Sequence, residues 1–303
     1  MNRRKTTRGM LIYLILATAM TWLCWIPTMI LAARHGYRLP TIDNFIYLAR
    51  SGFADTRHLL LALFFQLGVY GPLVAAIAGL AWESDPEALD SWWERLVRWR
   101  VAPRWYLIAL AITVGLPLLP TFVAAVVGLG QWPFRDVGLW LPYLLPLLLV
   151  QLLTSGLGEE PGWRGYLLPR LQRRFDGDGA IWRLGLVWAF WHYPVTIFYA
   201  LTPLRDVPLL AAVATILLSL AGQTISLIGM TYLYVWLFNR TDSVFLVIVF
   251  HALSNVLSAV IGGDMHSTLG LVVAAMPWLV VFVLEKTLGK EQFPGKPPET
   301  VIQ

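Results

Sequence analysis

The chain has 303 residues, of which 57% are hydrophobic and 14% charged, whereas a soluble domain carries about a quarter charged residues. Its mean hydropathy is +0.63, and its apolar residues come in runs near the roughly 20 residues needed to cross a hydrocarbon core. A soluble globular fold is excluded. The formal charge of +5 does not call for nucleic acid, because basic cytoplasmic loops account for it in a membrane protein. The single cysteine, Cys24, lies in the first apolar run. It can form no intrachain disulfide, and thiolate metal motifs are absent.

The basic start, MNRRKTTRG, precedes an apolar run over 10–33. That run exceeds the roughly 7–15 residues of a signal-peptide core, so it predicts an uncleaved first span. Further spans are predicted over 59–82, 105–129, 139–157, 180–201, 209–238, 244–262 and 268–284. The expected fold is all-α, a polytopic bundle of eight spans. Between the second and third spans, ESDPEALDSWWERLVRWRVAPRW places its acids first and its arginines last, which suits a helix macrodipole. Trp92, Trp93 and Trp99 give it an interfacial face, and an amphipathic helix on the inner membrane surface is expected. The tail KEQFPGKPPETVIQ is polar and Pro-rich, and is expected to be disordered.

With the N-terminus inside, the inner segments hold Arg3, Arg4, Lys5, Arg8, Arg95, Arg98, Arg100, Arg104, Arg170, Arg173, Arg174, Arg183, Arg240, Lys286, Lys290 and Lys296. The outer segments hold Arg34, Arg38, Arg50, Arg57, Arg135 and Arg205. This sixteen-to-six split puts both termini in the cytoplasm of a multi-pass protein of the cytoplasmic membrane.

Polar groups at membrane depth carry the functional signal. In LWLPYLLPLLLVQLLTSGLGEEPGWRG nothing from Leu139 to Gly158 is charged, and then Glu159 and Glu160 stand side by side, followed by Arg164. A carboxylate at such depth costs several kcal/mol unless it is satisfied. His192 in LGLVWAFWHYPVTIFY and His251 in VFLVIVFHALSNVLSAV are flanked by apolar residues, whereas His35, His58 and His266 lie in or beside loops. Asn255 shares a helix face with His251, four residues earlier. Pro161 interrupts the helix after the glutamates. Taken singly, each group has an ordinary structural reading: a packing histidine, an interfacial ion pair, or an asparagine joining helices. Their concentration in one half of the chain is not explained that way. HExxH is missing, LTSG around Ser155 lacks the first glycine of a rhomboid-like GxSG, and VIGGD at Asp264 is not GxGD.

The set EEPGWRGYLLPRLQRRF, WAFWHYP and FHALSN resembles the CPBP family of intramembrane proteases, related to Rce1-type CAAX endopeptidases and Abi proteins. The resemblance runs from about Leu139 to Val260. It divides the chain into N-terminal spans and interfacial helix (1–138), a CAAX-protease-like catalytic core (139–262), and a last span with the tail (263–303). Residue by residue it maps to Glu159, Glu160 and Arg164, to His192, and to His251 and Asn255. Trp188 stands four before His192, where Phe is common, and Pro161 replaces a frequent aliphatic residue.

The resemblance implies hydrolysis of a peptide bond in a membrane-associated peptide or protein, prenylated CAAX tails being one family option. Glu159 would activate water, Glu160 and Arg164 would tune and hold it, His192 would orient the water, and His251 and Asn255 would donate to an oxyanion. Glu159, His192 and His251 would also suit a divalent metal such as zinc. Membrane lipids are expected partners, and nucleic acid is not. The site is expected to open toward the cytoplasmic half, since Glu159 stands at the inner end of the predicted fourth span. A scaffold or bacteriocin-immunity protein of the same fold is the main alternative. An ion-coupled transporter is a further one, although the polar groups cluster in one half without paired broken helices.

Overall fold

A computed structural model describes residues 3–201, 208–262, 270–289, 291–295 and 297. His266, Asp264, Arg205, Lys290 and Lys296 lie outside the described residues. Among the described residues the regular structure is helical throughout, and no strand occurs. The main helices are α1 (Arg3–His35), α2 (Phe45–Ser51), α3 (Thr56–Val69), α4 (Gly71–Glu83), α5 (Pro86–Val97) and α6 (Pro103–Val126). They are followed by α7 (Val137–Gln172), α8 (Gly177–Leu201), α9 (Leu209–Thr241), α10 (Val244–Gly262) and α11 (Gly270–Leu288).

Six of these helices are long and apolar enough to cross a membrane, or seven if α3 and α4 count as one span. The expected count was eight. The last expected span, 268–284, overlaps α11 and begins outside the described residues. The expected span 59–82 is bent by 46° between α3 and α4. The sequence supplies the cause: Gly71 and Pro72 open α4, and proline is at home in a first helical turn but not in a helix interior. The expected span 139–157 is part of a 36-residue helix, so the apolar run marks less than its full length.

Contacts between helix ends define two faces. One face is arginine-rich. There Arg170 of α7 pairs with Glu83 at the end of α4, Arg95 pairs with Asp242 at the end of α9, and Arg174 donates to Thr7 of α1 at 2.7 Å. The opposite face holds the end of α1, the segment Pro40–Asn44, and the start of α3. There Asp55 caps α3 by accepting from His58 N at 2.8 Å. The Asp55 carboxyl is held below its usual range, first by the Tyr37 hydroxyl and then by the His58 N–H.

The expected amphipathic helix is α5, capped by Asp85, which accepts from Ala88 N at 3.2 Å. Trp93 and Trp99 are exposed, but Trp92 and Arg95 turn into the protein. Trp92 Nε1 donates to Pro161 O at 2.9 Å, and Arg95 Nε donates to Asp242 Oδ1 at 2.8 Å. Burial pulls the Arg95 guanidinium below its usual range, and Asp242 opposes that shift. The helix is thus latched onto α7 and the end of α9 as well as presenting tryptophans to an interface.

Part of the expected disordered tail is packed. Phe293 is buried against Trp236 and Tyr232. Gln292 O accepts from Trp236 Nε1 at 3.1 Å and from Arg240 Nη2 at 2.7 Å. An aromatic residue in an otherwise polar segment carried that anchor.

Candidate active site

The site is built where α7 loses its regularity. Residues Leu152–Gly156 and Pro161–Leu167 wind as π-helical turns on either side of Leu157–Glu160. Pro161 cannot donate a backbone hydrogen bond, and its ring crowds the carbonyl four residues earlier. Wide turns of this kind are frequent at functional sites. Glycines let neighbouring helices close on this segment. A Cβ at Gly158 would stand 2.8 Å from Val69 O, and one at Gly162 would stand 2.4 Å from Pro72 O.

Glu160 is fully enclosed. Arg164 Nη1 donates to its two oxygens at 3.0 and 3.1 Å, and His251 Nδ1 lies 2.7 Å from Oε1. The Arg164 guanidinium is itself sandwiched, 4.3 Å from the Trp188 ring centroid and 4.1 Å from that of Tyr234. Its Nε and Nη2 have no hydrogen-bond partner. The two aromatic faces stand in for those partners through their negative quadrupoles. Breaking a buried pair of this kind costs about 3–5 kcal/mol, because the survivor is left charged and unpaired.

Glu159 differs from its neighbour. Its Oε2 accepts from the Trp188 indole N–H at 2.8 Å, and its carboxylate lines a cavity of about 580 Å³. The same Trp188 carries the carbonyl that meets His192 Nδ1 at 2.9 Å. A carbonyl only accepts, so the hydrogen of His192 sits on Nδ1 and its Nε2 carries the lone pair. By the same reasoning His251 donates from Nδ1 to the Glu160 carboxylate, leaving Nε2 as an acceptor in the neutral ring and a donor in the charged one. His192 and His251 both line the cavity with Glu159. Trp188 therefore positions Glu159 and the His192 imidazole together, and its ring also meets His251 at a centroid distance of 5.9 Å.

Asn255 lines the same cavity, but its Nδ2 donates to Gln151 Oε1 at 2.8 Å. Gln151 Oε1 also accepts from Ser155 Oγ at 3.1 Å. One of the two amide hydrogens of Asn255 is thus committed to Gln151, and the other is left for a ligand. Gln151 was not among the expected site residues, although it is the only polar group in LLPLLLVQLL. The donor role of Trp188 and the Tyr234 face over Arg164 were also missed. Both are aromatic, and aromatic residues in an apolar span read as packing.

The structure brings all six expected residues to one place: Glu159 and Glu160 with Arg164 on α7, His192 on α8, and His251 with Asn255 on α10. Its depth differs from expectation. Helix α7 continues to Gln172, which puts Glu159 about 20 Å from that end at 1.5 Å per residue. The cavity runs from Glu159 past Tyr199 and Ser258 to Pro40, Thr41 and the exposed Asp43 on the face opposite the arginines. The expectation took the end of the apolar run for the end of the helix.

The free nitrogens of His192 and His251 and the unused oxygen of Glu159 are of the right chemistry for zinc. Among the described residues, however, no group of three or more His, Cys, Asp or Glu is arranged to hold a metal ion.

Residues 141–257 match the family model for Type II CAAX prenyl endopeptidase Rce1-like proteins. The matched segment contains all six candidate residues. No curated protein matches the sequence.

Proposed function

We propose that this chain, with a segment of the Rce1-like, CAAX-protease kind at its centre, is a membrane endopeptidase that cleaves a peptide bond of a membrane-associated substrate with a glutamate-activated water. One observation carries the reading. Glu159 is 3% exposed, is held through a single oxygen by Trp188, and shares a cavity with two imidazoles. A carboxylate with an open oxygen beside hydrogen-bond acceptors is a water-binding arrangement.

In the proposed reaction, Glu159 takes a proton as the water oxygen adds to the carbonyl carbon. His192 Nε2 accepts the second water hydrogen and aims the lone pair. The charge that develops on the carbonyl oxygen is met by the remaining Asn255 N–H and by the Nε2–H of His251 in its doubly protonated form. A carboxylate behind an imidazole supports that charged form, and Glu160 stands in that position. The C–N bond then breaks, and the proton held by Glu159 passes to the leaving amine. A divalent metal such as zinc, when bound by Glu159, His192 and His251, would supply a Lewis acid and a more acidic water. None of the steps above is routed through it. Prenylated CAAX tails are one substrate class for the reading, and apolar wall residues such as Phe65, Leu116 and Met230 suit a substrate with lipid-like or apolar groups.

The test compares new polypeptide termini in membranes holding wild type or Glu159→Ala. A set of termini that requires Glu159 is expected; identical sets would contradict hydrolysis and favour a scaffold. Elemental analysis of purified wild type beside His192→Ala addresses the metal. A stoichiometric metal lost in the variant assigns the imidazole as a ligand, and none in either protein assigns the chemistry to the residues alone.

A further inference from the structure

The chemistry of Asn255 depends on which way round its amide sits. The group offers an oxygen that accepts and a nitrogen that donates, and a half-turn exchanges the two at almost unchanged shape. Only the nitrogen can meet negative charge developing on a carbonyl oxygen. Helix α10 does not by itself choose between the orientations.

The choice is made from α7. Gln151 Oε1 accepts from Asn255 Nδ2 at 2.8 Å and from Ser155 Oγ at 3.1 Å. An oxygen shared in this way presents lone pairs to α10, so Asn255 turns its nitrogen toward it. The second hydrogen of that nitrogen is then left for the cavity that both amides line. Packing holds the two backbones for this contact on either side of it. At Gly156 the helices nearly touch, since a Cβ there would stand 2.8 Å from Ile248 Cγ2 and 3.1 Å from Ile248 O. One turn before Gln151, Leu147 is buried in a small core with Val256 and Val260. Gln151 itself is only 8% exposed, so little water competes for its oxygen.

From this geometry we infer that Gln151 is a positioning residue for the proposed hydrolysis. It fixes the Asn255 amide as a donor toward the cavity, and the Ser155 hydroxyl supports it. The inference rests on the endopeptidase reading and extends it to a residue outside the expected set. Two other roles compete: a plain joint between α7 and α10, and a direct contact of Gln151 with the substrate.

The first test needs no turnover. The chain has four asparagines, Asn2, Asn44, Asn239 and Asn255, so isotope labelling of asparagine side-chain amides gives a readable magnetic-resonance spectrum of the purified protein. Asn255→Ala identifies the Asn255 pair by its loss. Gln151→Met keeps the length of the side chain without the amide; it should move the bonded Asn255 proton upfield and speed its exchange with water. Gln151→Glu keeps an acceptor oxygen and should leave that proton near its wild-type position. An unmoved Asn255 pair in Gln151→Met would overturn the inference. Absence of any Glu159-dependent cleavage would instead remove the endopeptidase reading, whatever the spectrum shows.

The second test is a double-mutant cycle on a cleavage that requires Glu159, in variants whose melts match wild type. Gln151→Met should lower kcat about tenfold, the worth of one hydrogen bond, with KM little changed, and Gln151→Glu should restore most of the loss. Added to Asn255→Ala, Gln151→Met should cost nothing further, because the group it positions is gone. Additive losses would assign Gln151 to the substrate and contradict a positioning role. An unchanged kcat in Gln151→Met, or in Asn255→Ala, would reduce the contact to a helix joint. If Gln151→Met does not fold, Ser155→Ala carries the same cycle with a smaller expected loss, and additivity there would again contradict the inference.

Discussion

Two buried acidic clusters in this molecule are built from the same residue types and arranged to opposite ends. At the arginine-rich face, Glu83 of α4 spends both oxygens. Arg170 Nε meets Oε1 at 2.8 Å, the Tyr166 hydroxyl meets the same oxygen at 3.0 Å, and Arg170 Nη2 pairs with Oε2. Neither Glu83 nor Arg170 lines the cavity. At mid-depth, Glu159 spends one oxygen on Trp188 and turns its carboxylate to the cavity. Glu159 and Glu83 are almost equally buried, at 3% and 4% exposure, so burial does not separate them. What separates them is saturation. A carboxylate with both oxygens committed to donors holds helices together, and one with an oxygen left open beside acceptors can bind and deprotonate water. Glu160, adjacent in sequence to Glu159, belongs with Glu83 in this respect, since Arg164 and His251 close it.

The comparison can be broken by substitution. Glu159→Gln keeps the shape and the contact with Trp188 but removes the base, so cleavage should fall on the order of 10²–10⁴-fold while the unfolding midpoint in detergent stays near that of wild type. Glu83→Ala should do the reverse, destabilising the protein by about 3–5 kcal/mol through the stranded Arg170, with residual activity in whatever fraction is folded. A fluorescence-detected melt beside turnover separates the two. Trp188→Phe keeps an aromatic face over Arg164 and removes the N–H to Glu159 together with part of the ring. Loss of one bond to a charged group should lower kcat on the order of tenfold with little change in KM; an unchanged kcat would show that the indole only packs. The smallest effect is expected at Asp55. Folding holds that carboxyl below its usual range through Tyr37 and the His58 N–H, so its contribution to stability is complete above about pH 4 and is lost as pH falls through the lower folded value. Asp55→Asn should flatten that acid-side loss in a pH series of melting curves.

Much of the site was legible in the sequence because hydrocarbon surroundings make polar residues conspicuous. Glu159, Glu160, Arg164, His192, His251 and Asn255 were each found as interruptions of apolar runs, and the structure gathers all six. The interfacial helix was legible from the order of its charges and its tryptophans. Other features were not legible for physical reasons. Trp188 acts through an indole N–H that hydropathy counts as apolar. The division of labour between Glu159 and Glu160 depends on which faces the cavity, and side-by-side residues on a helix differ by about 100° in direction. The inner end of the fourth span was misread because α7 continues as a helix past Pro161, through a π-helical turn, where the apolar run had already ended. The packed Phe293 was hidden in a segment whose composition is otherwise that of a solvated tail.

The central claim is that Glu159 is the open, reacting carboxylate and that Glu160, closed by Arg164 and His251, is not. The most direct measurement is cleavage by purified Glu159→Gln protein reconstituted in vesicles, after its melt has matched that of wild type. The account predicts that Glu159-dependent products found with wild type disappear while the fold is intact. Cleavage at the wild-type rate by that folded variant would contradict it.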